Sequence, residues 1–297
     1  MRNSRRAILI FMCSVLAVVT VIFLIYRWNE QIKGSNARPV LECPSYPLRI
    51  SVDALENKSV LLQDVTATDR EDGDITSSLM VESISQFVEP GHSIITYAAC
   101  DSSNKVSKAT RHLYLTDYTQ PVFDIVAPLE FSFSSNYSPL ACMRAYDCID
   151  GDISSRIRMA MINPEDDLKT VGAHNVEFSV TNSMGDTVKI EAEVVVYDRT
   201  YTEQRMIPQI KLTHYLIYAE PNMYVDFRSM LNTVRVGETS FTPEGFEQNY
   251  GPIDIDEGGF DSNVPGVYRV LYTCSNGADY IGSAVLIVIV NGGSDNG

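Results

Sequence analysis

The chain has 297 residues, with 23 Lys and Arg against 38 Asp and Glu, and a net charge of −15. Such an acidic balance argues against nucleic acid as a partner, since phosphate binding needs a basic footprint. It leaves basic partners and Ca²⁺ as candidates beside an acidic surface that is simply solvated.

The first element is an apolar run. Ala7 to Tyr26 carries no charge, and roughly 20 such residues cross a bilayer as a helix. A helix is required because lipid offers backbone polar groups no partner. Arg2, Arg5 and Arg6 precede the run and Trp28 closes it. Residues 1–28 are therefore expected to form a cytoplasmic stub and an uncleaved signal-anchor, with the later domains extracellular. Arg27, Lys33 and Arg38 on the far side weaken that orientation. A cleaved signal peptide is the rival reading, but its apolar core is about 7–15 residues long and ends in a small-residue site. This run is longer and ends Ile-Tyr-Arg-Trp, and Phe11 and Met12 are too large to make Cys13 a lipid-attachment site. Residues 29–38 read as a polar juxtamembrane spacer.

Beyond the spacer the chain repeats itself. Residues 67–76 (ATDREDGDIT) and 145–154 (AYDCIDGDIS) share the frame A-x-D-x-x-D-G-D-I-[TS]. A second pair follows, PGHSIITYAACDSSN (90–104) and VGAHNVEFSVTNSMG (171–185), which aligns Gly91 with Gly172, Tyr97 with Phe178 and Asp101 with Asn182. A degenerate third copy, DSNVPGVYRVLYTCSNG (261–277), keeps Gly266, Tyr272 and Asn276 in that spacing but lacks the aspartate turn. Each copy ends in alternating apolar residues. In TVKIEAEVVVY, Val188, Ile190, Ala192, Val194 and Val196 share one parity while Lys189, Glu191 and Glu193 share the other, the period of a half-buried strand. No helical period of any length follows the anchor; short helical turns fit around Arg228 to Asn232.

Repeated short strands punctuated by Gly, Asn, Asp and Pro predict an all-β chain of three tandem Ig-like β-sandwich domains after an N-terminal transmembrane helix. The expected boundaries are 39–118, 119–199 and 200–292, the last divergent, with a disordered tail at 293–297. The joints at Asp117–Pro121 and Asp198–Pro208 read as short and fairly stiff.

The D-x-x-D-G-D-[IL]-[TS] turn, P-G-x-x-x-x-x-Y, D-S-x-x-N and alternating last strand resemble bacterial immunoglobulin-like surface domains. They are most similar to those appended to pesticidal crystal proteins, kin to hyalin repeats. The resemblance is strongest over 40–118 and weakest over 205–290. It implies β-sandwich modules in tandem on secreted or surface proteins, serving as spacers and adhesion modules without a catalytic centre.

Two readings of the aspartates compete. Asp69, Asp72 and Asp74, with Asp147, Asp150 and Asp152, supply hard oxygens of the kind Ca²⁺ takes, joined in one variant by Asp101 and Asp117. EF-hand spacing fails, however: counting from Asp69, the third ligand position falls on Gly73 and the glycine position on Asp74. The competing reading is a tight turn, with Gly73 and Gly151 at positive φ and the aspartates capping N–H groups. No other cofactor is expected.

Outside the anchor lie Cys43, Cys100, Cys142, Cys148 and Cys274, an odd set. Disulfides Cys142–Cys148 and Cys43–Cys100 are candidates, against buried free thiols; one straight strand between Cys142 and Cys148 would hold them too far apart. His92 and His174 sit near the Gly turns and suggest exposed loops. His92, His112, His174 and His214 show no zinc spacing, and no nucleophile elbow, phosphate loop or dinucleotide fingerprint occurs. Tyr215, Tyr218, Tyr224 and Tyr250 cluster in the third module, and Phe246–Phe260 reads as the longest irregular stretch, the first choice for a binding surface. The expected function is a non-enzymatic cell-surface protein, held to the membrane by residues 7–26, that binds a protein or glycan partner. The alternatives are a structural accessory subunit of an envelope or secretion assembly and, least supported, an extracellular enzyme.

Overall fold

The computed structural model describes residues 2–33, 37–277 and 280–292, with the side chains of the first helix described over 12–28. That helix, α1, spans Arg2–Lys33, so it runs past Trp28 into the expected spacer. Residues 34–36 of the spacer and the 293–297 tail lie outside the described residues. Every described side chain of α1 is exposed, Leu16 at 67% and Ile22 at 60% among them. Among the described residues, no helix is long and apolar enough to cross a membrane. The part of the expected anchor over 7–11 falls where side chains are not described.

The first compact unit ends at Asp117. Its strands are β1 (Val40–Glu42), β2 (Leu48–Ile50), β3 (Thr66–Asp69), β4 (Gly73–Asp74), β5 (Met80–Ile84), β6 (His92–Cys100) and β7 (Val106–Leu115), with one helical turn, α2 (Lys58–Leu61), before β3. They form two sheets, β1-β3-β4 and β2-β7-β6-β5, antiparallel except where β2 runs parallel to β7.

Residues 118–297 form the second unit, in which this plan occurs twice. β8 (Val122–Ile125), β9 (Glu130–Ser132), β10 (Met143–Asp147), β11 (Gly151–Asp152), β12 (Arg158–Met161), β13 (Gly172–Thr181) and β14 (Thr187–Tyr197) build sheets β11-β10-β8 and β12-β13-β14-β9. After α3 (Tyr201–Met206) come β15 (Gln209–Leu212), β16 (Leu216–Ala219), β17 (Leu231–Val236), β18 (Thr239–Phe241), β19 (Ile253–Asp256), β20 (Gly266–Ser275) and β21 (Ile281–Val290), in sheets β15-β17-β18 and β16-β21-β20-β19. The parallel pairing recurs in both, β9 on β14 and β16 on β21. The degenerate third copy thus keeps the whole topology and differs by a helix, α4 (Pro243–Tyr250), between β18 and β19.

Alternation sets the faces. Ile190, Ala192, Val194 and Val196 of β14 are buried while Lys189 and Glu191 are exposed, as the period of two requires. The aligned aromatics Tyr97, Phe178 and Tyr272 are each fully buried. A buried phenol needs a partner, and Tyr97 and Tyr272 find one in the carbonyls of Leu61 (2.9 Å) and Phe227 (2.8 Å). Phe178 fills the same position and has no hydroxyl to satisfy.

The second and third sandwiches do not meet at a bare joint. Phe123, Ile125 and Val194 belong to one continuous apolar core with Tyr215, Leu216 and Ile287. The Phe123 N–H donates to the Tyr218 hydroxyl at 2.8 Å, and the Arg269 guanidinium forks onto Glu193 at 2.8 and 3.2 Å. The connecting segment is α3, closed by a reciprocal capping box between Thr200 and Glu203.

Both expected disulfides are absent, and all six cysteines are free thiols. Strand β10 separates Cys142 from Cys148. The Cys142 thiol lies by the Pro128 carbonyl and the Cys148 thiol donates to Thr119 O at 3.2 Å. Cys43 lies near Thr110 O and Cys100 donates to Asp101 O. Burial raises the Cys142 thiol and pushes Cys274 up to about 12, which disfavours the reactive thiolate.

Candidate binding surfaces

The aspartate turns fold as the repeat frame dictates. Gly73 and Gly151 take φ of 74° and 70°, a conformation that costs a residue with a Cβ. Asp69 Oδ1 accepts the N–H groups of Glu71 and Asp72, and Asp147 Oδ1 those of Ile149 and Asp150. Asp74 and Asp152 cap Thr76 and Ser154. The middle aspartate reaches across the sandwich. Asp72 accepts the Ser102 N–H and hydroxyl, both at 2.8 Å, and Asp150 accepts those of Ser183 at 2.6 and 2.7 Å. Backbone donors hold Asp69 below the usual carboxylate range, and Ser154 does so for Asp152. Burial works against the charge of Asp150, but Ser183 and Arg156 outweigh it.

The position aligned at Asp101 and Asn182 differs between the copies. Asn182 donates its amide to Asp147 Oδ2 and to the Tyr118 hydroxyl, both at 3.0 Å, and Tyr118 donates to Asp186 at 2.6 Å. The first copy has Asp101 there, its Oδ1 accepting from Ser103 and Lys105 N–H groups. Asp117 accepts the Val52 N–H at 2.7 Å. Each of the six candidate Ca²⁺ ligands accepts turn or cross-strand hydrogen bonds. Among the described residues no group of three or more His, Cys, Asp or Glu side chains is placed to hold a metal ion.

The histidines depart from expectation. His92 opens β6, lies 2.9 Å from His112 and stacks on Tyr114. His174 is no exposed loop residue: it is 2% exposed within β13. Its Nδ1 lies 2.7 Å from Asp166 Oδ1 and its Nε2 2.9 Å from the Thr170 carbonyl. Both partners accept, so the arrangement is complete only when both ring nitrogens carry protons. Burial opposes the charge, but Thr170 and Asp166 outweigh it and raise the imidazole above its ordinary value.

The third-module tyrosines scatter. Tyr215 is buried, Tyr218 bonds to the second sandwich, and Tyr250 stacks on Phe246 at 5.0 Å. Tyr224 is the most exposed of the four, at 86% against 38% for Tyr250. It borders a pocket of about 480 Å³ between residues 222–228 and 255–262. Registers Ala219↔Val290 and Gly266↔Val290 put this pocket at the pole of the sandwich where β16 and β21 end and β20 begins. Phe227 and Phe260, edge to face at 5.1 Å, line it. Asn222, Asp226, Arg228, Glu257, Asp261 and Ser262 supply its polar side chains. The Asn222 N–H donates to Ser262 O, joining the two loops, and Arg228 is held by Glu247 at 2.6 and 3.1 Å. The stretch first chosen as irregular therefore divides: 246–250 is helix α4, 253–256 is β19, and its end contributes to the pocket.

No family model matches the chain, the crystal-protein type of module included. An uncharacterized 81.3 kDa protein of Acholeplasma phage L2 is 31% identical over 172 residues, covering 57% of this chain and 20% of its own length. The chain thus spans about a fifth of that relative. Among solved structures, a CBM51-2 domain in complex with GlcNAc and INT domains from Clostridium perfringens ZmpB is 20% identical, covers 48% of this chain and 29% of its own, and has a TM-score of 0.22. Mouse cadherin-23 EC22–24 is 12% identical over 86% of this chain and 99% of its own, at 0.19. The lipoprotein BT2262 of Bacteroides thetaiotaomicron is 13% identical over 56% and 98%, at 0.22. Identities and scores this low transfer neither ligand nor activity.

Proposed function

We propose that this is a non-enzymatic, membrane-tethered cell-surface protein whose third sandwich binds a protein or glycan partner at the pocket beside Tyr224. The observation that carries the reading is Tyr224 itself. A tyrosine 86% exposed on a loop gives up apolar burial, and here it does so beside a pocket lined by two aromatic rings and six polar side chains. Aromatic rings of this kind anchor protein partners and stack on sugar faces. Binding groups on loops held by a rigid sheet suit a display module. The tether is α1: its uncharged run Ala7–Tyr26 follows three arginines, which favours a cytoplasmic N-terminus and extracellular sandwiches.

The test is a binding array of envelope and host glycans and proteins, probed with the full chain in lipid nanodiscs and with its Tyr224→Ala variant. The expected outcome is a ligand bound by the parent and weakened at least tenfold by the substitution, with the melting temperature unchanged. Binding that ignores the substitution sinks the assignment of the pocket.

A further inference from the structure

A second concavity, separate from the Tyr224 pocket, lies inside the 118–297 unit. The outward face of β14 meets the outward faces of β20 and β21 across a cleft of about 610 Å³. Its walls are mainly apolar: Leu129 and Val195 on one side, Tyr215, Val267 and Ile287 on the other. This volume falls in the range that encloses a small organic ligand, and module interfaces are favoured places for such sites.

The charges lining the cleft are unevenly matched. Its two cations are already taken, Lys189 by Glu177 at 2.9 Å and Arg269 by Glu193 at 2.8 Å. Two further carboxylates, Glu130 and Glu191, also line it, and among the described residues neither has a cation within 4.0 Å. Glu130 is half-buried, on the strand parallel to β14. Arg199 acts on it from a distance but lies over the Tyr197 ring at 4.2 Å. Burial outweighs Arg199 and raises the Glu130 carboxyl above its ordinary range. An anionic carboxylate on an apolar wall gains most from a cation brought in with its own apolar body.

We propose that this cleft binds a small amphipathic ammonium compound, its apolar part against Leu129, Val267 and Ile287 and its ammonium paired with Glu130. A carboxylate or neutral alcohol of the same shape fills the apolar part but leaves Glu130 without a counter-charge.

Three matched probes test this on the full chain in nanodiscs by ligand-observed NMR and calorimetry: 2-phenylethylammonium, 2-phenylethanol and 3-phenylpropanoate. The ammonium probe should bind with a Kd on the order of 1 mM or tighter and at least tenfold more tightly than the carboxylate. Glu130→Gln should remove most of that preference, and Val267→Trp should fill the cleft and abolish binding of the ammonium probe. Melting curves of the variants show that each is folded. Failure of the ammonium probe to bind, equal affinity for all three probes, or a preference unchanged in Glu130→Gln would overturn the proposal and leave the Tyr224 pocket untouched.

Discussion

His174 shares its parity with Val176, Phe178 and Val180, all buried, so the inward direction of its side chain was readable from the alternation of β13. Its charge was not readable, because Asp166 and Thr170 come from the loop before the strand. The folded protein raises this imidazole, and linkage fixes the sign of the consequence. The stabilisation is complete below the ordinary histidine value of 6.5 and is lost as pH rises through the higher folded value. Urea unfolding between pH 5.5 and 8.5 should therefore show stability falling over that window in the parent, and a flatter profile in His174→Gln.

The aspartates give a second prediction at this scale. Asp72→Ala and Asp150→Ala each leave a serine N–H and hydroxyl without their acceptor. Each should cost about 1–2 kcal/mol in denaturant melts, with similar values at the two equivalent sites. The repeat frame showed that these aspartates belong to a turn. It did not show that the middle one crosses to Ser102 or Ser183, since those serines lie one residue beyond the aligned Asp101 and Asn182 in a separate motif.

At the scale of elements, strands were legible wherever apolar residues alternate, as in β6, β13, β14 and β20. Helix α4 escaped because it is short, yet its start was written in the chain. Thr242 caps the Gly245 N–H, Pro243 takes the first turn, and Phe246 and Tyr250, four residues apart, stack on one face. Glycines within strands carried no such signal. Gly282 of β21 leaves no room for a side chain: a Cβ there would stand 1.9 Å from the Pro208 carbonyl oxygen. Gly282→Ala should cost about 3 kcal/mol by forcing β21 away from Pro208. Gly151→Ala, which meets nothing within 4 Å and strains only a φ of 70°, should cost about 1 kcal/mol. Equilibrium unfolding of both variants checks the ranking; equal costs would count against the close approach.

At the scale of the whole molecule, the threefold copy of one sandwich topology was legible from the aligned motifs, even where the third copy had lost its aspartates. The union of the second and third sandwiches was not. It depends on Tyr218 reaching the Phe123 N–H, on the Arg269–Glu193 fork and on a shared core, and none of these pairs is close in sequence. Arg269 and Glu193 are both partly exposed, so Arg269→Ala alone should cost no more than about 1 kcal/mol; the apolar core holds the union. A scan of the full chain should accordingly show residues 118–292 unfolding in one transition.

The proposed function is one of display, with a tethering helix followed by sandwiches outside the cell. Cys148 is an exposed thiol of the second sandwich, so it reports on location directly. A membrane-impermeant maleimide applied to intact cells should label the parent chain more strongly than Cys148→Ser, in which the partly exposed Cys43 and Cys100 remain, with the labelled protein retained in the membrane fraction after a high-salt wash. Labelling of Cys148 only after the cells are permeabilised would contradict the account.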